Sequence, residues 1–398
     1  MRRSVSAFLL STSAFLLAGC FSLDRQTPRA PKTDIGDKPV ILGARILDNT
    51  LIVEAKWDRN GPYHFLIDTG SSVTMVTPEL AARYGEKNVK APEGPQVRVQ
   101  SFDGKTATLP AVMLSRVELG RARFSYVPAL IYDCADLSGQ LGVKIDGVLG
   151  FPLFRNTKLT LDYPHSRVLL EAPLEAAGPG GSPPGSSIAF NNSSKTPLIP
   201  LRLGDRTFIA LIDSGNDETL SLNPLGLSPK YATEPTEGPT VGTLTGDRME
   251  EVGRLSETLY VGDYAVPRSI VEITDEFSAL GGGILKHFTI TFDQEHSQVT
   301  FYRGKTDPIV VPGRRSTGLS FAKTPAYWRV VGIVPGSPAD GADVEPGDLA
   351  VRINGEPVAK WNVPRYEQLM ANGKDIVFTF LYGTHETDKK LKIYDLVP

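Results

Sequence analysis

The chain contains two copies of a short acidic motif. Residues Leu66–Ser72 read LIDTGSS, and residues Leu211–Asp217 read LIDSGND. Each copy places an Asp, Asp68 or Asp213, after aliphatic residues and before a small hydroxyl residue and a glycine. Two carboxyls held side by side cannot both ionise easily, so they share a proton. The ionised carboxyl can then accept a proton from water while the other donates one. The repeat therefore predicts one acid–base site to which both copies contribute.

The segments around the two motifs must form the elements that position the aspartates, and these segments are related. Residues 38–172 and 188–303 carry their motifs in the same order, and KLTLDYPHSRVLL at 158–170 aligns with TITFDQEHSQVTF at 289–301. Both consist of short alternating runs broken by Gly, Pro and Asn, which indicates strands and turns with few helices. A Gly/Pro/Ser-rich linker at 173–187 separates them. We therefore predict a fold dominated by β-strands, with a duplicated first lobe (38–172) and second lobe (188–303).

The two lobes resemble the aspartic peptidases of the pepsin and retropepsin types. Besides the Asp–[Thr/Ser]–Gly motif, each lobe has a downstream hydrophobic–hydrophobic–Gly block, at Val148–Gly150 in the first lobe and within Ala279–Gly283 in the second. The resemblance implies acid-protease β-barrel lobes. It also implies that Asp68 and Asp213 form a catalytic dyad that hydrolyses peptide bonds with an activated water and without a metal.

The resemblance also gives the motif residues supporting roles. It implies that the hydroxyls of Thr69 and Ser214 bond across the two loops and hold the carboxyls in one plane. Gly70 and Gly215 are expected to let backbone N–H groups approach the carboxylates, where a Cβ would obstruct them. All four residues match the motif of the family.

The second copy departs from the first after its glycine. Ser71 is expected to donate to the outer oxygen of its Asp, and the second lobe has Asn216 at that position. An amide also carries donors and could serve the same carboxylate. We expect the next two acids, Asp217 and Glu218, to form a solvent-facing strand edge. The alternative is that they lie close to Asp213 and raise its pKa.

Active aspartic peptidases also need a flap that covers the substrate and excludes water. The hairpin Val99–Pro110, with DG at Asp103 and Gly104, is the candidate in the first lobe, and TLTGDRMEE around Gly246 is its candidate counterpart. Neither tip has a Tyr, unlike pepsin-type flaps, which favours a retropepsin-like flap. Phe102 is the candidate substitute for that Tyr.

A third unit, residues 316–398, follows a polar linker at 304–315. Its string VPGSPADGADVEPGD resembles a PDZ domain of the bacterial type, a β-sandwich with short helices. PDZ domains bind a peptide C-terminus through loop N–H groups while the peptide adds a strand to the sheet edge. The alternative is a PDZ fold that serves only for packing. Ser320 stands where a Gly is usual, and the resemblance places the peptide-binding loop at Gly318, Leu319, Ser320 and Phe321.

The first twenty residues have the pattern of an export signal. Two arginines precede an apolar run that is too short to span a membrane, and the run ends in LAGC at Leu17–Cys20. LAGC resembles the bacterial lipobox, which implies that Cys20 is acylated and becomes the new N-terminus; the alternative is a plain cleaved signal. We expect residues 21–37 to form a flexible tether. Phe21, in place of an Asp, implies an outer-membrane lipoprotein that faces the periplasm.

The overall composition excludes several other functions. The formal net charge is −3 and no basic block occurs, so no nucleic-acid partner is predicted. Cys134 has no cysteine partner apart from Cys20, and we expect it to be a small buried side chain. No P-loop, HExxH, CxxC or GxSxG motif occurs, so no cofactor and no metal site are predicted.

Two functions remain open from the sequence. The first is a membrane-anchored aspartic endopeptidase whose PDZ domain recruits a polypeptide substrate or regulates the site. The second is a catalytically inactive envelope lipoprotein that binds peptides or proteins in the protease-like cleft and the PDZ groove. Geometry distinguishes them, because an active dyad needs adjacent carboxyls on cross-bonded loops.

Overall fold

The computed structural model describes residues 31–57, 59–86, 95–100, 106–173, 184–193, 195–243, 246–305 and 307–398. Strands make up 54% of the structure and helices 11%, which confirms the predicted β-dominated fold class. Within the described ranges, no helix is both long and apolar enough to cross a lipid bilayer. Cys20 lies outside the described residues.

The first lobe holds its motif at the end of a buried strand. Its elements are β1 Lys32–Asp34, β2 Val40–Leu47, β3 Thr50–Trp57, β4 Asn60–Asp68, β5 Thr74–Val76, α1 Pro78–Tyr84, β6 Gln96–Gln100, β7 Thr106–Leu119, β8 Ala122–Ile131, α2 Ala135–Leu141, β9 Gly147–Gly150, β10 Lys158–Asp162 and β11 Arg167–Glu171. Leu66 and Ile67 are completely buried because β4 lies between β3 and β9. The parallel strand β9 places Gly150 opposite Asp68.

The second lobe repeats this pairing around its own motif. Its elements are β12 Ser186–Ala189, β13 Leu198–Leu203, β14 Arg206–Ile212, β15 Leu220–Leu222, β16 Tyr231–Thr243, β17 Gly246–Leu255, β18 Thr258–Val261, β19 Tyr264–Pro267, β20 Ile270–Ile273, β21 Ser278–Leu280, α3 Gly282–Leu285, β22 Thr289–Asp293 and β23 Gln298–Tyr302. Strand β14 pairs in parallel with β21, as β4 does with β9. Strand β15 pairs with β20 and β21 in the same senses as β5 pairs with β8 and β9.

A shared sheet joins the two lobes beneath the motifs. Strand β10 of the first lobe pairs antiparallel with β22 of the second, so the hydroxyls of Thr160 and Thr291 meet at 3.0 Å. The strand order across this junction is β12-β23-β22-β10-β11-β2. Apolar side chains of both lobes belong to one buried core, including Phe151 and Phe292, whose ring centres are 5.2 Å apart. This continuous core fixes the two motif loops relative to each other.

The third unit forms its own sheet and core. Its elements are β24 Arg314–Ser316, β25 Leu319–Lys323, β26 Trp328–Ile333, β27 Leu349–Ile353, β28 Glu356–Pro357, α4 Val363–Asn372, β29 Asp375–Tyr382, β30 His385–Lys392 and β31 Tyr394–Val397. The strand order is β25-β26-β27-β29-β30, so β25 is an edge strand. Asn354 and Gly355 turn between β27 and β28 with φ of 50° and 79°, as the two central residues of a type I′ hairpin require.

Several predicted connections are packed rather than loose. Lys32–Asp34 of the predicted tether pair with β8, and Ile35 is buried, so the tether prediction extends too far along the chain. In the predicted linker at 304–315, Ile309 and Val311 are buried in the core that the lobes share. Each apolar residue removes surface from water and anchors its segment.

Candidate active site

The loops that follow β4 and β14 face each other and are joined by reciprocal hydrogen bonds. Thr69 Oγ1 donates to Ile212 O at 2.7 Å, and Ser214 Oγ donates to Ile67 O at 2.8 Å. The backbone N–H of Thr69 and that of Ser214 each donate to the other residue's hydroxyl at 3.0 Å. Both side chains are completely buried, so an unmade bond would cost about 1–3 kcal/mol. The network holds the two loops in one arrangement.

Asp68 and Asp213 lie side by side where these loops meet, and each is 1% exposed. The N–H of Ser71 donates to Asp68 Oδ1 at 2.9 Å. The N–H groups of Gly215 and Asn216 donate to Asp213 Oδ1 at 3.0 and 3.2 Å. The two carboxyls are close enough for each to shift the pKa of the other. Two carboxyls in such proximity cannot both ionise easily.

The protonation of this pair follows from its burial. Burial raises the pKa of Asp68 to about 7, although hydrogen bonds from Asp213, Ser71 and Gly70 act in the opposite direction. Burial and the nearby charge of Asp68 raise the pKa of Asp213 well above its usual range. The pair therefore holds a proton far above the pH at which an exposed Asp loses it.

Two glycines pack closely against the backbone of the motif loops. This packing explains why each downstream hydrophobic–hydrophobic–Gly block ends in a glycine. A Cβ on Gly150 would be 2.3 Å from Val73 O, and a Cβ on Gly281 would be 2.3 Å from Glu218 O. No larger residue fits at either position. The block predicted within Ala279–Gly283 is therefore Ala279–Leu280–Gly281, with Leu280 O accepting the N–H of Asp213 at 3.0 Å.

Comparison with protein-family models gives two matches. Residues 53–153 match an aspartyl protease model, and residues 329–381 match a PDZ domain model. The chain contains an aspartyl protease domain and a PDZ domain. Both domain predictions are confirmed at this level. The aspartyl protease match includes the loop of Asp68 and the block at Val148–Gly150. A comparison with curated protein sequences gave no match.

The side chains of Ser71 and Asn216 do not serve the aspartates of the protease domain as expected. Ser71 Oγ donates to Val73 O at 2.7 Å, which uses its only proton. Asn216 Nδ2 donates to Ser221 Oγ at 3.1 Å, and Asn216 Oδ1 accepts the N–H of Glu218 at 2.8 Å. Backbone N–H groups bond the carboxylates instead, so replacing Ser by Asn at this position changes the loop and not the donors to the dyad.

The acids after Asn216 do not form the expected solvent-facing edge. Asp217 and Glu218 are partly buried, and burial raises the pKa of both carboxyls. Arg314, which no sequence motif indicated, lies 3.0 Å from Glu218 and 3.3 Å from Glu250. Glu250 is 2% exposed and lies on the same face of β17 as the buried Val252, two residues along. The alternation of inward-facing residues along β17 is the sequence pattern from which the burial of Glu250 could have been predicted.

The flap residues Phe102, Asp103 and Gly104 lie outside the described residues. The strands on either side of them, β6 and β7, pair from Gln96↔Pro110 to Gln100↔Thr106. In the second lobe, β16 and β17 pair as the corresponding hairpin. In each lobe, two paired antiparallel strands therefore flank the segment in which the flap tip is predicted.

The predicted peptide loop of the PDZ domain lies at its contact with the protease lobes. Gly318 has a φ of +94°, which favours glycine, and Leu319, Ser320 and Phe321 begin the edge strand β25. Ser320 Oγ accepts the N–H of Thr240, in the hairpin of the second lobe, at 3.0 Å. The residue that replaces the usual Gly thus has a structural partner.

Proposed function

We propose that the protein is an endopeptidase in which Asp68 and Asp213 hydrolyse polypeptides through an activated water. The ionised carboxyl takes a proton from the water as it attacks, and the protonated carboxyl donates to the scissile carbonyl oxygen. The protonation states belong to the pair, so neither residue has a fixed role. The reciprocal bonding of Thr69 and Ser214 supports this function most directly.

The same geometry argues against a protein that only binds peptides. Two buried carboxyls facing each other cost folding free energy when no cation pairs with them. In the described part of the chain, neither Asp68 nor Asp213 has an ion-pair partner among the salt bridges. The fold maintains this unfavourable arrangement with a four-bond network, as expected when strain is retained for chemistry.

Isosteric variants test the proposal. Asp68→Asn and Asp213→Asn should each lower cleavage of a denatured protein mixture by about a thousandfold or more, because either change removes the acid–base pair. Cleavage is measured by mass spectrometry of the product ends from pH 3 to pH 8, roughly the range over which the dyad can titrate. Circular dichroism checks that the variants fold. Full activity in either variant would refute a single dyad.

We further propose that the PDZ domain binds the C-terminus of a peptide or protein partner and thereby recruits substrate or regulates the dyad. Helix α2 of the first lobe lies against the end of strand β25: a Cβ on Gly139 would be 3.0 Å from Lys323 O. Lys323 Nζ donates to Gln140 O at 3.4 Å. We therefore expect a peptide strand added along β25 to change the contact between Lys323 and α2. Peptides with a free or an amidated C-terminus test the carboxylate requirement, by fluorescence anisotropy.

We also propose a lipid anchor at Cys20 and an outer-membrane, periplasm-facing location. The support is the LAGC pattern at Leu17–Cys20, which follows an apolar run. Cys20→Ser should abolish metabolic labelling with palmitate and release the protein from the membrane fraction. Labelling that persists in this variant would contradict the assignment.

A further inference from the structure

A cluster of buried carboxylates lies beside the loop that carries Asp213. Glu250 and Glu272 are each 2% exposed, and Glu218 is partly buried. Arg314 contacts Glu218 and Glu250 at 3.0 and 3.3 Å, while Arg248 pairs with Glu272. Buried carboxylates are several kcal/mol less stable without a cationic partner. The two arginines are therefore the cationic partners that offset the burial of these acids inside the lobe.

The cluster is bonded to the catalytic loop on two sides of Asn216. The N–H of Glu218 donates to Asn216 Oδ1 at 2.8 Å. Asn216 Nδ2 donates to Ser221 Oγ at 3.1 Å, and Ser221 Oγ donates to Glu272 Oε2 at 3.0 Å. The N–H of Asn216 itself donates to Asp213 Oδ1. A shift of the cluster would therefore move a donor of the dyad.

Arg314 reaches this cluster from outside the protease lobes. It begins strand β24, which pairs with the last strand of the chain at Arg314↔Val397. The segment before it is fixed to the second lobe, because the buried Arg254 donates to Val311 O at 3.2 Å and Pro312 O at 3.1 Å. The segment that connects the lobes to the PDZ domain thus places the positive charge of Arg314 beside Glu218 and Glu250 of the second lobe.

We propose that Arg314 is a positioning residue for the Asp213 loop, through which the segment leading into the PDZ domain completes the second half of the active site. The inference depends on the proposed peptidase function. The ion pairs of Arg314 are with Glu218 and Glu250 and not with the dyad. It acts through Glu218 and Asn216, and it makes the dyad geometry dependent on residues beyond the two lobes.

Other charged groups surround the cluster. Asp48 of the first lobe adds negative charge near Asp217 and Glu218, and Arg314 opposes it. Burial and the nearby charge of Asp48 raise the pKa of Glu367 of the PDZ domain. Lys286 Nζ donates to Asn49 Oδ1 at 3.0 Å, and Asn49 Nδ2 donates to Asp217 O at 2.7 Å. The titratable and charged groups that face the cluster from the packed elements are Asp48, Asp217, Glu218, Arg248, Glu250, Glu272, Lys286, Arg314 and Glu367.

The experiment compares Arg314→Gln, Arg314→Lys and Arg206→Gln in the full-length chain. Arg206 is a matched control, because it pairs with Glu257 in the same lobe and its side chain is 29% exposed, against 26% for Arg314. Arg314→Gln should lower kcat about tenfold or more with a smaller change in KM, since it disturbs the reacting group and not substrate contacts. Arg314→Lys should restore part of kcat, and Arg206→Gln should keep the wild-type value.

Two further measurements separate positioning from stability. Adding Glu218→Gln and Glu250→Gln to Arg314→Gln removes the unpaired charges and should recover thermal stability, but not full kcat. Hydrogen–deuterium exchange should increase across residues 211–222 in Arg314→Gln and stay unchanged in Arg206→Gln. Unchanged exchange in Arg314→Gln, or an equal loss of kcat in Arg206→Gln, overturns the inference. Increased exchange in a chain that cleaves nothing supports positioning by Arg314 and refutes the peptidase function instead.

Discussion

Gly70 of the first lobe lies directly against the carboxyl group of Asp213 in the second. A Cβ on Gly70 would be 2.4 Å from Asp213 Cγ and 2.5 Å from Oδ1. Real Cβ atoms do not approach other atoms so closely, and both partners belong to rigid, cross-bonded loops. The glycine of the first motif is therefore required by the carboxyl of the opposite lobe.

We predict that Gly70→Ala lowers activity by about a hundredfold or more, because the methyl group displaces the Asp213 carboxyl from its partner. Gly43→Ala is the control, since nothing lies within 4 Å of a Cβ at Gly43. Product formation and thermal melting are measured for both variants. Wild-type activity in Gly70→Ala would show that the two carboxyls are not held as the structure describes.

The hydroxyls of Thr69 and Ser214 should be energetically coupled. Thr69→Val and Ser214→Ala each leave buried partners unsatisfied and should lower the free energy of unfolding by about 1–3 kcal/mol. Each change removes two of the four bonds, and the double variant should lose less than the sum, because loops already loosened by one change lose less from the other. Denaturant unfolding of the four proteins gives the coupling energy, and Thr69→Ser is the control that keeps the hydroxyl. Strict additivity would contradict a shared network.

Much of the fold and the dyad could be predicted from the sequence because local patterns encode them. The alternation of short runs predicted strands, and the repeated motif selected Asp68 and Asp213. The downstream hydrophobic–hydrophobic–Gly block also indicated the closely packed Gly150. A glycine is required there because backbone packed against backbone leaves no space for a side chain.

The charged cluster could not be predicted, because its members are far apart along the chain. Glu218, Glu250, Glu272 and Arg314 come together only when β15, β17, β20 and β24 are assembled. Isolated charges in a sequence are usually on the surface, which is why Glu218 was expected to face solvent, and no sequence motif indicated Glu250, Glu272 or Arg314. The partners of Asn216 depended on the same tertiary contacts.

The raised pKa values predict the pH dependence of activity. The dyad needs one ionised carboxyl, and burial raises the pKa of Asp68 to about 7. Activity should therefore increase as the pH rises from about 4 towards 7, in place of a maximum in strong acid. The measurement is kcat/KM against pH, with Arg206→Gln as a control for general acid stability. A maximum below pH 4 would contradict the buried, coupled dyad.

The same shift predicts how stability changes with pH. Because the folded-state pKa of Asp68 exceeds its unfolded value of 3.8, the folded protein binds more protons between these values, and stability decreases as the pH rises through that range. Asp68→Asn has no carboxyl that must ionise at this position. The free energy of unfolding of the variant, relative to that of the wild type, should therefore increase from pH 4 to pH 7, by about 1–4 kcal/mol. Denaturant unfolding at each pH tests this. A constant difference would mean that Asp68 has an ordinary pKa.

Asn216 should affect activity through the position of its loop and not through contact with the carboxyls. Asn216→Ala removes the bonds to Ser221 and Glu218 but keeps the backbone donor to Asp213. We therefore expect a loss of about 1–3 kcal/mol in stability and a loss of kcat of about tenfold, similar to that of Arg314→Gln, which acts through the same bonds. Asn223→Ala is the control, because Asn223 also bonds two neighbours in this lobe. Loss of activity as complete as in Asp213→Asn would show that the amide acts on the dyad directly.

The contact between the PDZ domain and the second lobe can be opened by a single methyl group. A Cβ on Gly332 would be 1.9 Å from Thr240 Oγ1, so Gly332→Ala must push strand β26 away from the hairpin of the second lobe. The bond from Thr240 N–H to Ser320 should then break. Hydrogen–deuterium exchange of residues 231–255 should increase, and Gly341→Ala, with nothing within 4 Å of its Cβ, is the matched control. Equal exchange in the two variants would show that the PDZ domain does not rest on this hairpin in solution.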